Sequence, residues 1–158
     1  MVDRLAPGLS LGKPAKTRQL MLVGQNILDV VWPQVEHIFL ANHGWQEYYT
    51  LDHLKEFIRV GQMHLWVVND NEEFIMAVLT EFVNTPLKRA VRTVWVGGDD
   101  LRGGLKLWDI MEHWAWKNGA TKSVGFAERK GLLRMLEPYG YKRKAYAFEK
   151  DISEIKEH

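Results

Sequence analysis

Val94-Trp95-Val96-Gly97-Gly98-Asp99-Asp100-Leu101-Arg102-Gly103-Gly104-Leu105 is the stretch that decides the fold of this chain. Two valines around a tryptophan read as a strand end, and two glycine pairs flanking Asp99-Asp100 read as a turn. Downstream, Leu101, Leu105, Trp108, Met111 and Ala115 recur at three- and four-residue steps, with Arg102, Lys106, Asp109, Glu112 and Lys117 on the other side. Asn118-Gly119 ends the pattern, so a helix is expected from Leu101 to Asn118. A strand that feeds a glycine-rich turn into a helix is a geometry in which free backbone N–H groups and the helix dipole collect an anion.

Outward from this centre, three strands precede the turn: His64 to Asn69, Glu73 to Asn84 and Lys88 to Val96. Asp70-Asn71 and Thr85-Pro86-Leu87 are short joints, which makes the three strands antiparallel neighbours. Before them lie a strand over Arg18 to Val23 and two helices. The first is capped by Asn26 or Asp29, carries Pro33 and stops at Asn42-His43-Gly44. The second runs from Leu51 to Val60 with Thr50 as its cap. After the central helix come a strand at Ser123 to Ala127, a short helix from Lys130 to Leu136 stopped by Pro138 and Gly140, and a last long strand from Tyr141 to Lys150. The order is β-α-α-β-β-β-α-β-α-β, an α/β (α+β) arrangement with a mixed, mainly antiparallel sheet. One helix between the strands near Val91 to Val96 and Ser123 to Ala127 requires a right-handed crossover, so these two are expected to be parallel neighbours that splay apart.

Residues 1–17 carry Pro7, Gly8, Gly12 and Pro14 without a period and read as an extended arm, 18–150 as the folded domain and 151–158 as a polar tail. Extended at about 3.3 Å per residue, the arm can reach about 50 Å, far enough to cross onto a neighbour with Leu5, Leu9 and Leu11. The chain has 158 residues, 46% hydrophobic and 26% charged, enough for one domain that buries about two-thirds of its unfolded surface. Twenty-one Lys and Arg against 20 Asp and Glu leave a net charge of +1, so no bulk field points to nucleic acid or an anionic membrane. Lys142, Arg143 and Lys144 read as solvated charge that blunts a sheet edge. The absence of cysteine excludes disulfides, a thiol nucleophile and a Cys-ligated metal, and the six histidines show no metal-ligand spacing. Met1-Val2-Asp3-Arg4 lacks the apolar stretch of a signal peptide, so an intracellular protein is expected. Seven tryptophans are many, and Trp114 and Trp116 cannot share one buried helix stripe, so a surface Trp is expected as an anchor for protein contacts.

The element order with a glycine turn before the central helix resembles the GNAT (GCN5-related N-acetyltransferase) fold over residues 18–150. More narrowly, Val31-Trp32-Pro33-Gln34-Val35-Glu36, Leu65-Trp66-Val67-Val68, Ala77-Val78-Leu79-Thr80-Glu81, Gly97-Gly98, Trp114-Ala115-Trp116-Lys117-Asn118-Gly119-Ala120 and Arg134-Met135-Leu136-Glu137-Pro138-Tyr139-Gly140-Tyr141 resemble GNAT-like proteins of tailed bacteriophages and prophages. The resemblance implies acetyl-CoA as cofactor, bound by Val96, Gly98, Arg102, Gly103 and Gly104, with no metal. It implies Glu81 as general base for an amine and Tyr139 as the nearest phenol to protonate a leaving thiolate. It also implies the cytoplasm of a bacterial host, or the virion, as location. Active members usually carry Gln/Arg-x-x-Gly-x-Gly/Ala in the turn, whereas this chain has Asp100-Leu101-Arg102-Gly103-Gly104-Leu105. Leu136 stands where the family often has its tyrosine. Two readings of the turn stay open: a CoA site, or a helix start capped by Asp99 or Asp100. Two functions follow, a weak or inactive N-acetyltransferase, or a non-catalytic virion or assembly protein that meets its own kind or other virion proteins through the arm and an exposed Trp.

Overall fold

The computed structural model describes residues 18–127 and 130–154, so the arm expected over 1–17 lies outside the described residues. These residues fall into two compact units, divided between Phe126 and Ala127.

The sheet of the first unit has the order β1-β2-β3-β4-β5, with β1 at Arg18–Leu22, β2 at His64–Asp70, β3 at Glu73–Asn84, β4 at Arg89–Gly98 and β5 at Lys122–Gly125. Strands β1 to β4 are antiparallel neighbours, while β5 runs parallel to β4. Helices α1 (Leu28–Ala41) and α2 (Leu51–Arg59) lie between β1 and β2 in the chain, and α3 (Leu101–Leu105) and α4 (Trp108–Lys117) form the crossover to β5. This is the mixed, mainly antiparallel sheet with flanking helices that the sequence leads one to expect.

Local chemistry accounts for the joints. Asn71 and Glu72 both have positive φ (52° and 70°), as a two-residue hairpin turn demands, and Asp70 pairs with Glu73 across it. At the next joint the Thr85 N–H donates to the Lys88 carbonyl at 2.8 Å, which leaves Pro86 in the loop where its missing N–H costs nothing. Helix α2 opens with a capping box: the Thr50 hydroxyl accepts from the His53 N–H, and His53 Nδ1 accepts from the Thr50 N–H, both at 3.1 Å.

Alternation along the strands divides the core between two faces. On one, Leu65, Val67, Ala77, Leu79 and Trp95 meet Val35 and Phe39 of α1 and Leu54 and Ile58 of α2. Each fully buried Leu, Ile or Phe there contributes about 1.5–3 kcal/mol. Trp32, Phe39 and Trp95 stack in sequence, with centroids 5.4 and 4.6 Å apart. On the other face, Trp114 of α4 stacks on Phe82 at 5.3 Å and meets Trp66 and His64 edge-on. The Trp66 indole N–H donates to the Thr80 hydroxyl at 3.1 Å, so the buried threonine is satisfied. Burial lowers the His64 pKa from its ordinary 6.5 and the charge of Arg89 adds to this, while a hydrogen bond with the Thr80 backbone opposes it.

Three sequence expectations are corrected. The central helix is not continuous from Leu101 to Asn118: it tightens at Lys106-Leu107, where the Leu107 N–H donates back three residues to Gly104 at 2.9 Å. Two adjacent glycines are poor helix formers and give the first turn little resistance to this. Neither Asn26 nor Asp29 caps α1, which grows out of a 3-10 turn at Gln25–Ile27. The Asp29 carboxylate instead pairs with Lys55 and Arg59 of α2 at 3.2 and 3.1 Å. In the second unit, α5 (Lys130–Leu136) runs into a 3-10 turn at Glu137–Tyr139 that Gly140 ends with φ 92°. The expected last strand, Tyr141 to Lys150, is absent there: 141–150 have no regular structure. A strand holds its conformation through a partner's hydrogen bonds, and residue propensity alone does not supply a partner.

Candidate functional site

The site begins with a miscount in the ladder between β3 and β4. Leu79 pairs with Trp95 but Thr80 pairs with Thr93, so Val94 is one residue too many on β4. Such a bulge bends its strand and re-aims the side chains on either side of it. Here it lets Trp95 enter the α1 core while Arg92 pairs with Glu81 below it. Pairing between β4 and β5 covers Ala90 to Thr93 and stops one residue short of the bulge. From Val94 to Gly98, β4 therefore has no strand on that edge among the described residues. The parallel pairing expected from the sequence is present over all four residues of β5, and where β5 ends, β4 is left with backbone donors and acceptors that can pair with another extended chain. Val96 and Gly98 lie on this open stretch.

Beyond it the turn is held by its own side chains. Gly98 has φ 121°, and a Cβ there would run into the Ile75 carbonyl and stand 2.6 Å from Met76 Cα, so only glycine fits against β3. Asp100 adopts the left-handed conformation at φ 55° and accepts a hydrogen bond from the Gly103 N–H at 3.0 Å. Its second carboxylate oxygen is paired with the guanidinium of Arg18, which also reaches Asp70 at 3.2 Å. Arg18, and then the Gly103 N–H, hold the Asp100 carboxyl below the usual carboxylate range. Arg18 is raised in turn, Asp100 being the largest cause. Gly104 is buried, and a Cβ there would collide with Met76 Sδ, so this glycine packs the helix on the sheet. Arg102 is exposed at the helix start.

Glu81 faces Arg92 across the β3-β4 ladder, and its carboxylate accepts from Arg92 Nε and Nη2 at 2.9 and 2.6 Å. Tyr139 lies in the second unit, exposed, in the 3-10 turn before Gly140. The structure thus gathers Val96, Gly98, Arg102, Gly103 and Gly104 along one strand end and turn, and places Glu81 two ladder pairs from the bulge.

Sequence reasoning missed Arg18, Arg92 and the bulge at Val94. Arg92 was within reach, because pairing outward from the Thr85-Pro86-Leu87 joint sets 84 against 89 and so 81 against 92. Arg18 is 82 residues from Asp100, and no local signal joins them. Among the described residues no group of three or more His, Asp or Glu is placed to hold a metal ion, and no helix is long and apolar enough to cross a membrane.

No protein-family profile and no curated protein sequence matches the chain. Solved structures do match its fold. An aminoglycoside acetyltransferase, meta-AAC0020, from an uncultured soil metagenomic sample, in complex with sisomicin, superposes with a TM-score of 0.67 at 11% identity, covering 85% of this chain and 96% of that one. A ribosomal-protein-alanine N-acetyltransferase from Brucella melitensis biovar Abortus 2308 gives 0.60 at 13% identity, with 84% and 99% covered. A predicted acetyltransferase from Clostridium acetobutylicum, solved with acetyl-CoA, gives 0.61 at 11% identity, with 85% and 96% covered. The chain therefore has the fold of the GNAT acetyltransferases. At these identities the likeness extends to the fold alone.

Proposed function

We propose that the chain is an acetyl-CoA-dependent N-acetyltransferase of bacteriophage type, acting in the host cytoplasm, that binds its cofactor weakly and turns over slowly. The observation that carries this reading is the open edge of β4 from Val94 to Gly98, left by the end of β5 pairing at Thr93. The amide-bearing arm of CoA can add to such an edge as an extra strand does. The thioester would supply an activated acetyl group to an amine, with Glu81 and Tyr139 as the candidate base and acid. The turn fits the phosphates less well. Of the N–H groups that would face an anion, the one on Gly103 is already taken by Asp100, and Asp99 and Asp100 add like charge. Arg102 is the exposed cation that offsets this.

Calorimetric titration with acetyl-CoA tests the reading. Asp100→Asn keeps an oxygen for the Gly103 N–H while removing the charge, so it should tighten binding about three- to tenfold, worth about 1 kcal/mol. Arg102→Glu should weaken it. If neither the natural chain nor Asp100→Asn gives a saturable binding heat with acetyl-CoA, the reading is wrong.

A second reading, a non-catalytic virion or assembly subunit, is favoured by the exposure of Trp116, 65% accessible at the end of α4. Copurification with virion proteins from infected cells, without acetyl transfer to any amine, would select it.

A further inference from the structure

We propose that two copies of this chain associate through the solvent side of α1, each helix lying antiparallel against the same side of the other. This side of α1 is set apart by what it lacks. The exposed sides of α2 and α4 carry charge, at Asp52, Glu56 and Arg59 and at Asp109 and Lys117, as helices that face water do. On α1 the residues turned away from the sheet are Val30, Pro33, Gln34, His37, Leu40 and Ala41, all exposed and none an acid, a lysine or an arginine. Val30 and Leu40 are 70% and 58% accessible. The two charges of α1, Asp29 and Glu36, lie seven residues apart on one flank, and Asp29 is engaged by Lys55 and Arg59 of α2.

A face without charge loses little hydration when it is covered, and it gives a charged partner nothing to pair with. What it matches is another such face. Val30, Gln34, His37 and Ala41 recur at four-, three- and four-residue steps, the spacing at which one helix seats its side chains between those of a second. A two-fold axis across the middle of α1 sets the copies antiparallel, which also aligns their dipoles favourably. Val30 then meets the small Ala41 of the second copy at both ends, and Gln34 meets His37 on either side of the axis. The Gln34 amide donates to the Val30 carbonyl of its own helix at 3.2 Å, and its oxygen can accept from the facing His37 ring. With α1 about 21 Å long, two such faces in contact remove about 800–1,000 Å² from water, the low end of specific interfaces. The pair is therefore reversible, with a dissociation constant of about 10 μM. With a net charge of +1 per chain, the copies repel each other little.

Sedimentation of the full chain should pass from 18.4 kDa to twice that mass as its concentration rises through this range. Val30→Glu should weaken association about tenfold or more with an unchanged circular dichroism spectrum, since glutamate suits a helix and the valine it replaces is exposed. Adding Ala41→Lys to that variant should restore much of the loss, because the register sets the two new charges opposite each other between copies. The chain has no cysteine, so a chain carrying both Val30→Cys and Ala41→Cys reports the same register by oxidation. Along one helix these positions are about 16 Å apart, beyond the reach of a disulfide, so a bond between them must join two copies. A natural chain that stays monomeric at about 500 μM overturns the proposal. So does a dimer that survives Val30→Glu, since the copies would then join elsewhere. A dimer that is lost with Val30→Glu but is neither restored by Ala41→Lys nor linked through the cysteines overturns the antiparallel arrangement, and the proposal with it. None of these outcomes depends on acetyl-CoA.

Discussion

His64 shows how a single side chain ties stability to pH here. Its ring sits against Phe82 and Trp114 at 5.4 and 4.9 Å, its Nδ1 is buried without a partner among the described residues, and Arg89 adds a like charge to any proton it takes up. Its pKa in the fold is therefore below the 6.5 of the unfolded chain. Below that value the unfolded chain binds more protons than the folded one, so stability falls as pH drops through it. Between pH 7.5 and 5.5 the melting temperature should fall more for the natural chain than for His64→Phe, as scanning calorimetry would read it. Asp29 and Asp100 act in a different window. Their carboxyls are depressed by basic partners, so what they contribute is present above the ordinary carboxylate pKa and is lost at more acid pH. At this scale the sequence was partly legible. An aspartate before a helix announces a cap, and Asp100 is one, but the left-handed backbone at Asp100 and its pairing with Arg18 arise only when β1 comes alongside α3.

Among the elements, α2 is the one whose start rests most on side-chain chemistry, since Thr50 and His53 satisfy each other's backbone N–H groups. Thr50→Ala should cost about 1 kcal/mol and lower the melting temperature by about 2–4 °C, with no change in the rest of the circular dichroism spectrum. This helix was readable because its signals are local: a threonine cap, Leu54 and Ile58 four residues apart, and a glycine at the end. The hairpins were readable for the same reason, as Asp70-Asn71 and Pro86 mark their turns. The bulge at Val94 was not, because Val94-Trp95-Val96 follows the ordinary pattern of a strand and only the partner strand reveals a residue too many. The missing strand over 141–150 fails in the opposite way. Its residues favour a strand, but propensity supplies no partner, and a strand is a property of two segments.

In the molecule as a whole, topology was more legible than chemistry. Short joints fix β2, β3 and β4 as neighbours and a helical crossover sets β5 beside β4, and solved acetyltransferases at 11–13% identity share the resulting fold. The aromatic excess also resolves at this scale. Trp32, Trp45, Trp66, Trp95 and Trp108 are buried, Trp114 is half-buried within its ring cluster, and Trp116 alone among the seven is open to solvent. That distribution makes the protein's intrinsic fluorescence a two-component signal. The buried indoles should emit at short wavelength and ignore iodide, while Trp116 should emit to the red and be quenched by it. The quenchable fraction then reports one spot on the surface, the end of α4, without any attached dye. Anything that settles on that end should remove the red shoulder and the iodide sensitivity together, and a ligand bound elsewhere should leave both in place.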